Sequence, residues 1–141
     1  MQKTQRLIDR LDKILGTGNG LLAEEQLDMA ALKDILDDCF LIKESKGVFK
    51  FSFMGKNIIE AFGNKSFSKD MNEMILPSNH SIAENIMKAI KTKKPVETSD
   101  EFINGDGIKI KYRKKIYPLT DEIGGVEVKY IFGGMRWKAE Y

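Results

Sequence analysis

Apolar and polar positions along this chain follow two different periods, and the changes between them mark its elements. Near the N-terminus Leu7, Ile8, Leu11, Ile14 and Leu15 recur at the spacing of a helix face, surrounded by Arg6, Asp9, Arg10, Asp12 and Lys13. This predicts a helix over residues 4–15, ended by the glycine-rich segment 16–20. A second helical stretch, residues 28–36, offers Asp28 as N-cap and places Met29, Leu32, Ile35 and Leu36 on one face. The period then drops to two. Residues 39–43 read as a short strand and 44–47 (ESKG) as a turn. Residues 48–54 form a second strand, in which Phe49, Phe51 and Phe53 alternate with Lys50 and Ser52. Gly55 breaks this strand, and Ile58, Ile59 and Phe62 return to helical spacing before Gly63.

Residues 64–77 follow neither period over any length; Phe67, Met71, Met74, Ile75 and Leu76 suit one or two short helices or turns. Ser78 is a natural N-cap for the next helix, whose buried stripe is Ile82, Ile86, Met87 and Ile90. Lys88, Lys91, Lys93 and Lys94 crowd its end, where cations complement the helix dipole, and Pro95 stops it. The last third alternates. Strands are expected at 96–103, 108–117 and 126–136, joined by the turns NGDG (104–107) and DEIGG (121–125). Three successive strands with short turns pair antiparallel. With the helices grouped between two strand blocks, the class is α+β rather than alternating βαβ.

Composition narrows the picture without changing it. The 141 residues suffice for one domain with a real core, and 42% hydrophobic with 31% charged residues suits a soluble globular chain. No apolar run approaches the roughly 20 residues of a membrane helix, and the charged N-terminal helix is no secretory signal. A single cysteine precludes an internal disulfide and points to a reducing cytoplasm. A net charge of +2 does not argue for nucleic acid. The organisation expected is an N-terminal amphipathic helix and loop over residues 1–20, then one domain over 21–141.

The order strand–strand–helix–helix–strand–strand–strand resembles that of the PAS domain. The segment FKFSFMGKNIIEAFGNKSFSKDM is similar to a single-domain PAS-like family common in alphaproteobacteria. Members carry an aromatic strand, a glycine, a short helix, a second glycine and a polar turn. The tail NGDGIKIKYRKKIYPLTDEIGGVEVKYIFGG is similar to that family's closing hairpins. The resemblance covers about residues 28–137 and rests on structural motifs. It implies a PAS-like five-stranded antiparallel sheet with helices across one face and an N-terminal helical extension. It also implies a sensory or protein-interaction role in bacterial signalling.

Residues able to do chemistry are few. His80 is the only histidine. Some PAS domains bind haem through a histidine in this region, but one beside a helix start reads as a capping-region residue and supplies at most one ligand. No haem and no other cofactor is therefore expected, and no metal-site spacing exists. Flavin-binding PAS domains carry a reactive cysteine in a polar motif on a central helix. Cys39 instead begins a strand among apolar neighbours and reads as a buried, inert thiol. NGDG and GTGNG lack phosphate-loop spacing and read as turns.

Two faces remain as candidate sites. The inner face gathers Phe49, Phe51, Phe53, Ile58, Phe62, Ile110, Tyr112, Tyr130 and Phe132, which either fill a core or enclose a small apolar ligand. The outer face carries Lys109, Lys111, Arg113 and Lys115, with Lys129 as a possible extension, and reads first as a solvated surface and second as a partner-binding one. The stripe Leu7, Ile8, Leu11, Ile14 and Leu15 either covers the domain or joins two copies into a homodimer. The expected function is a non-enzymatic sensor or interaction module acting through protein contacts, with no membrane or nucleic-acid partner. The alternative is a small α+β enzyme or binding protein with a hydrophobic pocket. The scarcity of carboxylates on the inner faces counts against it.

Overall fold

The computed structural model describes residues 2–15, 21–63 and 80–141, with side chains from residue 6 in the first stretch and from residue 84 in the last. In chain order the elements are α1 (Gln2–Leu15), β1 (Leu22–Ala23), α2 (Met29–Leu32), β2 (Cys39–Ser45) and β3 (Val48–Met54). There follow α3 (Lys56–Phe62), α4 (His80–Thr92), β4 (Val96–Ile103), β5 (Lys109–Thr120) and β6 (Tyr130–Glu140). Short 3-10 turns at Glu24–Gln26 and Lys33–Asp38 flank α2. The expected short elements over 64–77 and the Ser78 cap lie outside the described residues.

Local chemistry accounts for most boundaries. The Asp28 carboxylate accepts from the Ala31 amide at 3.1 Å, capping α2 as expected, but the helix tightens into a 3-10 turn from Lys33 instead of continuing. β2 and β3 form the predicted hairpin across Lys46 and Gly47, both at positive φ. The last two strands end later than their alternation indicates: β5 continues through Pro118 to Thr120, and β6 is displaced by four residues, from Tyr130 to Glu140.

The sheet has six strands in the order β1-β5-β6-β2-β3, with β4 also paired to β5. Five of them make the expected antiparallel sheet. The sixth, β1, is a two-residue strand parallel to β5 at Leu119 and Thr120, continuing the edge where β4 stops at Ile116. Helices α3 and α4 cross one face as expected, and the N-terminal extension α1 covers the other. On the inner face α3 and α4 cover a cluster that includes Phe40, Ile42, Phe51, Ile58, Phe62, Ile86, Ile110 and Ile131. On the outer face α1 buries Leu7, Leu11 and Leu15 with Leu32, Ile35, Cys39, Tyr117, Leu119 and Phe132. Each of these leucines contributes about 2 kcal/mol by leaving water, which is why the apolar stripe closes on its own sheet.

The inner layer is threaded by aromatic rings. Phe40, Phe51, Phe62, Phe102 and Tyr112 follow one another at centroid separations of 5.8, 6.3, 5.4 and 5.8 Å, in edge-on or tilted geometry. Polar bonds hold α3 in place over them. The Trp137 indole N–H donates to the Asn57 carbonyl at 2.8 Å, and the Asn104 amide to the Ala61 carbonyl at 3.1 Å.

Two adjacent glycines let both layers close on β6. A Cβ on Gly133 would stand 2.3 Å from the Phe40 ring on the inner side, and one on Gly134 would stand 2.5 Å from Leu11 Cδ1 on the outer side. A bare backbone at this step therefore admits the ring from one face and α1 from the other. Gly55, between β3 and α3, is tighter still: its Cβ would fall 2.2 Å from the Leu36 carbonyl oxygen and 2.5 Å from that of Asp37. Those atoms are backbone and cannot rotate away, so Gly55→Ala is expected to lower the unfolding free energy by about 3 kcal/mol. Denaturant titration of the full chain measures this; an unchanged midpoint would disprove the close approach.

Candidate functional site

The structure splits the expected inner-face set between two layers. Phe51, Ile58, Phe62, Ile110 and Tyr112 are buried together on the inner face, with Phe49 partly buried against them. Phe53, Tyr130 and Phe132 are not among them. Phe51 pairs with Ile42 and Phe53 with Leu41, so Ser52 is the extra residue of a β-bulge and the phase of β3 reverses there. Phe53 consequently turns to the outer side and is 40% exposed. Tyr130 and Phe132 pack in the outer cluster beside Leu41, because the register of β6 sets Phe132 opposite Leu41 and turns Ile131 inward opposite Ile42.

On the outer face, the stripe read as a possible dimer seam faces the chain's own sheet: Leu7, Ile8, Leu11 and Leu15 are buried and Ile14 is partly so. Polar contacts reinforce the docking. The Tyr117 hydroxyl donates to the Asp12 carboxylate at 2.5 Å, Lys115 Nζ lies 2.7 Å from the same oxygen, and Arg10 donates to the Ala31 carbonyl at 3.1 Å. Burial, and then the bond to Asp12, push the Tyr117 phenol above its ordinary pKa.

Beyond α1 the outer face opens into a groove of about 1060 Å³ that includes Glu97, Glu101, Lys111, Arg113, Arg136 and Lys138. The cationic row expected here is matched by acids. Lys109 pairs with Glu101 at 3.3 Å, Lys111 with Glu140 at 2.9 Å and Arg113 with Glu97 at 2.6 Å. Lys129 precedes β6 and pairs with Glu44 and Glu127. The face is thus a lattice of opposite charges, each exposed pair weakened by solvent screening, and not a continuous cationic patch.

The residue that sequence reasoning missed is Lys114. It occupies the inner phase of β5 between Tyr112 and Ile116, where an apolar side chain belongs, and is only 1% exposed. Its Nζ has no hydrogen-bond partner among the described residues and sits 5.1 Å from the centroid of the Tyr112 ring. Burial pushes the ammonium down to about 8, opposed in part by the charge of Asp100. On α4, which packs on the same face through Ile86 and Ala89, Asn85 Nδ2 is also buried without a partner among the described residues, as are Thr120 Oγ1 and Arg136 Nε elsewhere on the sheet. The signal was present in the alternation: position 114 shares its phase with Ile110, Tyr112 and Ile116.

Cys39 lies in the outer cluster, its thiol donating to the Ile35 carbonyl at 3.1 Å. Burial, aided by the charge of Asp38, pushes it up to about 12, which makes it unreactive as a thiolate at neutral pH. The side chain of His80 lies outside the described residues. Among the described residues no group of three potential metal ligands occurs, and no helix is long and apolar enough to cross a membrane.

No family model matches the chain, and no curated relative matches it. Solved structures do. A light-oxygen-voltage (LOV) domain studied with a flavin analogue is similar at a TM-score of 0.59, with 16% identity over 79% of this chain and 84% of that one. LOV domains are a subfamily of PAS domains. The fold is that of a PAS domain. A cysteine-to-serine mutant of Vivid shares this PAS fold at a TM-score of 0.56 and 16% identity, covering 92% of this chain and 98% of that one. The LOV domain of a blue-light activated histidine kinase from Erythrobacter litoralis follows at 0.53 and 15%, covering 72% and 95%.

Within this PAS fold the unpaired lysine has a measurable signature. Below about pH 8 Lys114 is charged in both the folded and the unfolded chain, and folding bears the cost of burying it. Between about 8 and the ordinary value of 10.5 the folded chain has released the proton while the unfolded chain retains it, so stability rises with pH. Lys114→Met is expected to be more stable than the parent at pH 7 by about 2 kcal/mol, and the difference should shrink as pH rises to 10. Parallel unfolding curves at pH 7, 8.5 and 10 check this. A difference that does not change with pH would contradict it.

Proposed function

We propose that this chain is a non-enzymatic sensory module that passes a change at the inner face of its PAS sheet to protein contacts at the outer face. The observation that carries this reading is the Gly133–Gly134 step. Consecutive residues of one strand are closed by the inner core through Phe40 and by α1 through Leu11. A shift of β6 that accommodates something on the inner side moves the seat of α1 as well. The groove beside α1 is then the surface that a signalling partner meets. A homodimer through the α1 stripe requires Leu7, Leu11 and Leu15 to leave the sheet, so any second copy engages the groove more readily than the docked helix.

One LOV neighbour was studied with a flavin analogue, which raises the question of light-driven flavin–thiol chemistry here. The chain's single cysteine does not fit it: Cys39 lies on the opposite side of the sheet from the inner cluster, hydrogen-bonded to Ile35. The enzyme alternative fares no better. Among the described residues the one buried acid, Asp38, accepts from Asn57 and pairs with Arg136, and Asp100, which shares the inner phase of β4 opposite Tyr112, is exposed. An acid–base pair in a cavity is what that alternative needs.

Native mass spectrometry of freshly purified full chain is expected to show a retained small molecule. Its removal by unfolding and refolding is expected to change amide hydrogen exchange in α1. Protein that carries no added mass, or an α1 whose exchange ignores the removal, would reject the sensory reading.

A further inference from the structure

A buried ammonium without an acceptor is costly, and the described core offsets only part of that cost. Lys114 brings three N–H donors and a positive charge into a layer built from Tyr112, Ile116, Ile86 and Ala89. The Tyr112 ring compensates only part of the charge. Asp100, whose charge is felt there, is exposed and forms no ion pair with it. Lys115 and Arg113, the neighbours along the strand, show the contrast: both point outward and both have carboxylate partners. A second orphaned donor, Asn85 Nδ2, lies on the helix that packs over this part of the sheet.

We infer that Lys114 and Asn85 form a binding site for a small organic anion, a monocarboxylate with a short aliphatic or aromatic body, between α4 and the inner face of β5. The proposal rests on the sensory reading in taking this face as the ligand side. Each feature of the ligand follows from a feature of the site. One buried cation calls for one negative charge, and a dianion such as phosphate would leave charge uncompensated. Two donors match the two oxygens of a carboxylate, the Lys114 bond being charge-assisted. Apolar neighbours call for an apolar body, and the packed aromatic chain from Phe40 to Tyr112 keeps that body small. The ammonium also favours the acid over its neutral amide, which offers a carbonyl oxygen without the charge and turns an NH₂ donor toward Lys114.

The test is calorimetric titration of the full chain at pH 7 with benzoate and butyrate, against benzamide and butyramide. The acids are expected to bind and the amides to bind at least about tenfold more weakly. Lys114→Met should weaken the acids by about thirtyfold or more, and Asn85→Ala by a smaller factor. The comparison of acids with amides needs no variant, so it decides even if a variant folds poorly. Neither acid binding, the amides matching the acids, or undiminished acid binding by a folded Lys114→Met would each overturn the proposal. Retention of a neutral apolar molecule, with α1 responding to it, would leave the sensory reading standing and remove only the anion. An α1 indifferent to everything bound would fail the sensory reading by itself.

Discussion

A sheet covered on both faces must fit two packed layers to one set of strands, and here the fit is made at the centre of β6. Its neighbours β5 and β2 are held in register from Lys109 opposite Glu140 to Lys43 opposite Tyr130, so no residue of β6 can shift alone. The side chains absent at Gly133 and Gly134 leave the space in which Phe40 and Leu11 reach the backbone at that point. A slip of one residue would exchange the two faces, bringing Phe132 inward and Ile131 outward. The aromatic chain inside and the leucine seam outside therefore hold one another's alignment.

The two faces use this alignment differently. The outer one is finished with compensated charge: Lys109, Lys111, Arg113 and Lys115 each meet an acid, and Tyr117 and Asp12 fasten the helix that covers the rest. The inner one is built on rings and aliphatic groups, and among them Lys114 and Asn85 hold donors that stand unanswered among the described residues. A PAS fold made only for stability has no reason to keep an ammonium in its core, since a hydrophobe of similar volume serves better. Thr120 Oγ1 and Arg136 Nε are also buried without a hydrogen-bond partner among the described residues, but Arg136 is ion-paired with Asp38, and Lys114 alone of the four brings an unpaired charge into the inner layer, which is where function is to be sought.

Much of the architecture was legible in the chain because periodicity is strong where one side of an element meets water. The α1 stripe, the β2–β3 hairpin, α3, and the alternation of Lys109 to Ile116 all carry that polar reference. The readings that failed share a cause. Tyr130, Ile131 and Phe132 are consecutive and apolar because both faces of β6 are covered, so alternation there has no polar side from which to read phase. Phe53 was placed by counting in twos across Ser52, and a bulge makes that count odd. Lys114 was legible in principle, since the same alternation that placed Ile110 and Tyr112 inward places it with them. A row of basic residues around it, at 109, 111, 113 and 115, made it look like one more surface cation.

The two-residue strand β1 has a consequence for how α1 behaves as a ligand of its own sheet. By pairing with Leu119 and Thr120, it fixes the chain within seven residues of Leu15, beside the surface on which α1 lies. A helix released from the outer face is thus never free in solution; it remains tethered at an effective concentration on the order of millimolar. A partner segment competing for the same leucine-lined seat faces that local excess however dilute the protein is. The tether therefore sets a threshold, so that occupancy of the outer face is decided by how firmly α1 is held and hardly at all by how much protein is present.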